Sequence, residues 1–196
     1  LWSSAWQCAN HGSVAPYHVV SHSGPDTVAH VRRRSGVPLW LPRGLPSGWV
    51  CTGFGYAGDD RSGARATVTA MSGPSPLGGP ADLLVVAEEP GVGLGARHAG
   101  LHSADPGDGF DSGPADAKVE VASHPTALWT VAGAEDRAVF VGEAKAQWLW
   151  AVVWPAAAGL LMYDGVMLTD LRDAPGELEI EFGPLSPRLA APPVAA

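Results

Sequence analysis

Glycine contributes 25 and proline 18 of the 196 residues. Breakers at that density leave no room for long helices, because proline ends a helix and glycine weakens it. They favour short strands joined by tight turns. The composition is otherwise that of a folded globule. Apolar residues make up 46% and charged residues 16%, so the chain can bury a core rather than remain disordered. A length of 196 residues suits one domain with a sizeable core.

Apolar patterning places the strands. Segments 49–57 and 64–71 flank the turn-forming loop 58–63 and predict a hairpin. The run 83–87 is apolar throughout, as in a strand buried on both faces. Further strands are expected at 118–122, 128–131, 138–142, 147–154 and 178–182. The segment 160–163 and its partner 166–169 flank Asp164 and Gly165, a two-residue hairpin signal. Residues 27–34 read as a short helix capped by Asp26 and ended by Gly36. Residues 90–116 read as a long surface loop. Helices do not alternate with strands, which excludes a doubly wound parallel sheet. The expected fold is therefore α+β, mainly β: a twisted antiparallel sheet with one or two short helices and long Gly/Pro-rich loops. Residues 25–190 form one β-rich domain behind a head at 1–24, and 191–196 are a frayed tail.

The strand at 147–154 is the strongest. Trp148, Trp150, Val152 and Trp154 share one face, and Gln147, Leu149, Ala151 and Val153 share the other. Two apolar faces predict a central strand. An aromatic binding platform is the alternative, with Trp154 the side chain most open to solvent.

Net charge is −8. Residues 1–43 hold Arg32, Arg33, Arg34 and Arg43 against Asp26 alone, so the remainder is strongly acidic. An acidic body repels phosphate backbones, which argues against nucleic acid as a partner. The three consecutive arginines suit a helix C-terminus, with anion binding as the alternative. Two cysteines, Cys8 and Cys51, are too few for a disulfide framework, and a reducing cytoplasm is expected. The run 148–163 is short for a membrane span and is broken by Pro155 and Gly159. The chain opens on Leu1 without a leader pattern, which suggests that residues before it are missing.

Five groups of residues come into question for chemistry. Gly91, Gly93 and Gly95, followed by Arg97, form a Gly-x-Gly-x-Gly-Ala string after an apolar strand. A dinucleotide site needs a helix starting there with its N–H groups on the pyrophosphate. The break at 105–107 limits any such helix to two turns, and a glycine-rich turn that holds at most one anion is the preferred reading. Asp59, Asp60 and Arg61 could contact a ligand or could stabilise their own turn. Asp105, Asp108 and Asp111 lack the spacing and bidentate glutamate of a calcium loop. His98, His102 and His124 could join carboxylates in acid–base pairs, as in any chain of this size. Cys8 and His11, with His18 and His22 beyond, have zinc-knuckle spacing but make only half a site.

The runs LWSSAWQCANHG at 1–12, YAGDDRSG at 56–63, SGPSPLGG at 72–79, GVGLGAR at 91–97, GLLMYD at 159–164 and LTDLRD at 168–173 resemble an uncharacterised actinobacterial protein family. In that family a Cys-x2-Cys pair precedes the first motif and builds a zinc-ribbon-like head. The resemblance implies that residues 1–24 are the remnant of such a head. It makes Cys8 and His11 metal ligands only together with an upstream pair, so that no cofactor is expected in this chain and zinc is expected in a longer one. The resemblance implies no reaction. The sequence reads as a non-catalytic intracellular module binding an unknown protein or small molecule. The alternative is an enzyme using Gly91 to Arg97 as an anion cradle for a phosphorylated or acylated substrate.

Overall fold

The computed structural model describes residues 7–8, 12–13, 15–59, 61–174 and 179–190. The chain is mainly β. Its strands are β1 (Gln7–Cys8), β2 (Gly12–Ser13), β3 (Tyr17–Val19), β4 (Trp40–Arg43), β5 (Val50–Asp59), β6 (Gly63–Pro74), β7 (Pro80–Glu88), β8 (Ala117–Val121), β9 (His124–Thr130), β10 (Ala138–Ala144), β11 (Gln147–Trp154) and β12 (Met167–Asp170). The helices are α1 (Pro25–Arg34) and α2 (Leu94–Ala99), with 3-10 turns at Ala156–Tyr163 and Pro187–Leu189.

Ten strands form one sheet in the order β3-β5-β6-β7-β11-β10-β9-β8-β12-β4. All neighbours run antiparallel except β8 and β12, which are parallel. The hairpin expected from segments 49–57 and 64–71 is the β5–β6 pair. The two-faced strand at 147–154 is central, paired to β7 on one side and β10 on the other. One face of the sheet buries Leu83, Val85, Leu149 and Val153 against Leu39, Trp40 and Leu41 on and beside β4, with Val31 of α1 in the same core. Strand β4 thus packs back over β6 and β7. The buried hydroxyl of Thr67 on β6 donates to the carbonyl of Pro38 at 2.5 Å, pinning that return. The opposite face buries Val68, Leu84, Val86, Trp150 and Val152 under Leu94, Ala96 and Ala99 of α2 and under Leu189.

Five expectations are corrected. The run 148–163 does not hold two strands. Pro155 stops β11, and Ala156–Tyr163 coils into a 3-10 helix on β10 and β11. Gly159 lets that helix approach β10: a Cβ there would stand 2.6 Å from that of Ala138. An unbroken apolar run fits a buried helical segment as well as a buried strand. Asp164 and Gly165 therefore close no hairpin, and β12 pairs with β4 and β8 instead. Helix α1 starts at Pro25 after Gly24, with Asp26 inside the first turn, so Asp26 complements the dipole rather than capping the end. Residues 179–182 form no strand, only a parallel bridge from Phe182 to Cys51, while Leu178 lies outside the described residues. Trp154 is 3% exposed, buried between Arg137 and Arg188, whose guanidinium carbons stand 4.9 and 5.1 Å from its ring centroid. Trp148 is the half-exposed member of that face.

Candidate functional site

The glycine-rich run follows β7 directly. Gly91 and Gly93 both take left-handed backbone angles, φ +83° and +79°, which turn the chain sharply off the strand. Gly93 caps α2, so a helix does begin in the middle of the run, though with only six residues. Gly95 lies against the indole of Trp150, where an added Cβ would fall 2.3 Å from ring carbons. Each glycine thus has a local structural reason.

The helix start is already occupied by an acid of the chain itself. Glu88, the last residue of β7, points to the same face as Leu84 and Val86 and is fully buried. Its Oε2 accepts the N–H groups of Leu94 at 2.6 Å and Gly95 at 3.2 Å. Its Oε1 has no hydrogen-bond partner. Burial pushes the carboxyl up to about 7, against the pull of the two amides and of the adjacent Trp150 indole, and Asp105 adds to the rise. The N–H of Gly91 is taken too, by Asp105 Oδ1 at 2.8 Å, the same oxygen that accepts Trp148 Nε1 at 2.9 Å. A phosphate entering here would have to displace two internal carboxyl groups.

At the other end of α2, His98 is buried and its Nε2 is without a partner. Burial, with Arg97 and Arg137 nearby, pushes the imidazole down to about 4. Tyr17 packs edge-on against it at 5.9 Å and donates its hydroxyl to the carbonyl of Leu189 at 2.8 Å. Burial raises the Tyr17 phenol above its usual range. Arg137 donates to the carbonyl of His98 at 2.6 Å. Arg97 is half-buried on the same helix.

The other predicted residues do not join this cluster. Asp59 Oδ1 accepts the N–H groups of Arg61 at 2.9 Å and Ser62 at 2.8 Å, plus the Ser62 hydroxyl at 2.9 Å. These bonds hold its carboxyl below the ordinary range and make it the clamp of the β5–β6 turn. Asp60 lies outside the described residues. So do His11 and the side chain of Cys8. His18 stacks on Tyr56 at 5.0 Å, and His22 Nδ1 lies 2.8 Å from the Ser21 hydroxyl. Asp108, Asp111, His102 and His124 are exposed. Among the described residues no group of three or more His, Cys, Asp or Glu side chains is arranged to hold a metal ion.

A shallow cleft of about 310 Å³ opens on another part of the surface, between residues 41–49, Met71 and residues 179–181. It does not include the glycine-rich run. A second polar cluster lies at the end of β12. Asp170 Oδ1 accepts the N–H groups of Leu39 and Arg172, at 3.2 and 3.1 Å, and its Oδ2 accepts Lys145 at 2.9 Å and Arg172 Nη2 at 2.9 Å. Burial alone would raise its carboxyl, but Arg172 and Lys145 outweigh that and hold it at about 2.

Sequence reasoning missed Glu88, Asp170 and the burial of His98. For Glu88 a signal existed: an acid closing a wholly apolar strand, on the face of Val86, just before the glycines. Asp170 carried no such signal, because Leu39 and Lys145, which bury it with Arg172, are distant in the chain.

The fold and this cluster define a mainly β protein with a short helix, capped from within, packed on the central strands β7 and β11 of its sheet. The chain belongs to a family of unknown function, DUF6758, whose model matches residues 1–189. No curated protein and no solved structure matches it.

Proposed function

We propose that the chain is a non-catalytic binding or interaction module, and not an enzyme that works through the glycine-rich run. The observation that carries this reading is the internal capping of α2. The amides an anionic substrate would need at Gly91, Leu94 and Gly95 are held by Asp105 and Glu88. The acid and imidazole that could do proton transfer are sealed from solvent. General acid–base work requires contact with the reacting group. The surface offers contact area instead. Leu160 and Tyr163 are exposed three residues apart on a 3-10 helix, where such positions eclipse one another. The partner is an unidentified protein or small molecule.

Titration with inorganic phosphate, NAD, NADP and FAD tests the reading. The expected result is no dinucleotide binding and at most weak, salt-sensitive anion binding. Micromolar affinity that disappears in a folded Gly93→Val variant would replace it with an enzyme acting on a phosphorylated or acylated small molecule.

The remaining parts of the reading are proposed alongside. Residues 25–190, together with β3 at the edge of their sheet, act as one β-rich domain with a twisted sheet. A zinc-ribbon-like head of the actinobacterial kind includes Cys8 and His11 and is completed by an upstream cysteine pair. The cytoplasm is the compartment, a reading supported by the unpaired, buried Cys51. Among the described residues no helix is long and apolar enough to cross a membrane. Metal analysis checks the head: a protein extended upstream through such a pair carries one zinc, and residues 1–196 alone carry none.

A further inference from the structure

Helix α2 is held at both ends by buried ionisable groups of opposite kind. Glu88 sits under its first turn and His98 in its last. Each has a polar atom without a partner, and among the described residues neither faces an opposite charge. Lifting α2 from the sheet would free Glu88 from the Leu94 and Gly95 amides and would carry His98 away from Tyr17. Both groups would then meet water together.

We propose that Glu88 and His98 are a compensating pair that keeps α2 closed to the same degree from acid to neutral pH. A buried ionisable group without a counter-charge is held in its neutral form. For the acid, this makes closure most favourable at low pH. Opening lets the carboxyl ionise in water from about 4.5 upward, while the closed state resists until about 7. Closure therefore weakens as pH rises across that window. The imidazole behaves oppositely. The open state gains a proton below about 6.5 and the closed state resists to about 4, so closure weakens as pH falls across that window. The two windows overlap and the two slopes run in opposite directions, so each offsets the other.

The surrounding charges do not upset this balance. From the connection after α2, Asp105 reinforces the neutral form of Glu88. On β6, Arg65 is bound to Glu89 at 2.7 Å. On α2 Arg97, and before β10 Arg137, reinforce the neutral form of His98. From β3, Tyr17 faces His98, and burial keeps its phenol protonated. Trp148 and Trp150 on β11 carry no charge.

Hydrogen exchange at the Arg97, Gly100 and Leu101 amides reads the opening directly, because each is bonded within or just after α2. Rates are divided by the intrinsic base-catalysed rate. In the native protein, opening is expected to change less than about threefold between pH 5 and 7. Glu88→Gln keeps the acceptor for both amides and removes the charge. Its α2 is expected to open about tenfold or more as pH falls from 7 to 5. His98→Phe keeps the edge contact with Tyr17, and its α2 is expected to open by a similar factor in the reverse direction. A native protein whose α2 opening shifts more than tenfold over this range overturns the proposal. So do single variants that stay flat. Should either variant fail to fold, NMR titration of the native Glu88 carboxyl and His98 imidazole decides: ordinary values for either group overturn it, and shifts toward neutral forms sustain it.

Discussion

Gly95 shows how a residue picked out as a cofactor signature can serve packing alone. Trp150 is fully buried at the centre of the second core and has no room to turn aside. Adding one carbon to Gly95 places it 2.3 Å from the indole. Helix propensity would favour alanine over glycine by about 1 kcal/mol, so a gain is the outcome expected from local structure alone. Overpacking of a rigid core costs about 1 to 3 kcal/mol or more and dominates here. Gly95→Ala is therefore expected to destabilise the protein by about 2 kcal/mol in chemical denaturation. A neutral or stabilising result would mean that α2 stands further from β11 than this geometry. Glycine spacing alone could not reveal this role. The contact joins residues 55 positions apart, and only the pairing of β7 with β11 brings them together.

At the scale of elements, the sequence was most readable where structure is local. Alternating apolar residues at 147–154 and the Asp-Gly chemistry of 58–63 both act within a few residues, and both elements form where expected. What was hidden depends on distant partners. The 3-10 helix after Pro155 and the parallel pairing of β8 with β12 are fixed by packing that periodicity does not encode. Two tight turns were hidden for another reason. Ala122 with Ser123, and Lys145 with Ala146, join β8 to β9 and β10 to β11 with positive φ at both positions. Such turns suit the twist of paired strands but normally carry Asn and Gly. Here residues with a Cβ are held in a left-handed conformation that costs about 1 kcal/mol each. Ala146→Gly leaves the contacts of Lys145 in place and relieves one such position. It is expected to raise stability by about 0.5 kcal/mol, the strain relieved less the greater freedom of glycine in the unfolded chain. Thermal denaturation checks this, and a loss of stability would show that the turn does not hold Ala146 in that conformation.

For the whole molecule, the decisive question is what returns the far edge of a ten-stranded sheet over its own face. Hydrophobic contact of Leu39, Trp40 and Leu41 with the core supplies most of the drive, but such contact is non-directional. Asp170 supplies the direction. From the end of β12 it binds the N–H of Leu39 just before β4, Lys145 in the β10–β11 turn, and Arg172, which in turn donates to the carbonyl of Gly36 at 3.0 Å. Arg32 of α1 reaches the carbonyl of Arg172 at 3.1 Å, so one carboxylate organises α1, β4, β12 and the central hairpin. The side chain of Asp170 is 4% exposed, so water screens these contacts little. Its folded-state carboxyl sits at about 2, below the ordinary value of 3.8 for the unfolded chain. A depressed acid stabilises fully above about pH 4, and that contribution is lost as pH falls through 2. By linkage it amounts to about 2 kcal/mol. Asp170→Asn leaves Lys145 and Arg172 without their shared anion while keeping one acceptor for Leu39. At pH 7 it is expected to lose about 2 to 3 kcal/mol in urea denaturation. The difference between variant and parent should then shrink between pH 4 and 2, because the parent loses the same charge there. A constant difference across that range would assign the loss to packing, and the return of β4 would then rest on the apolar core alone.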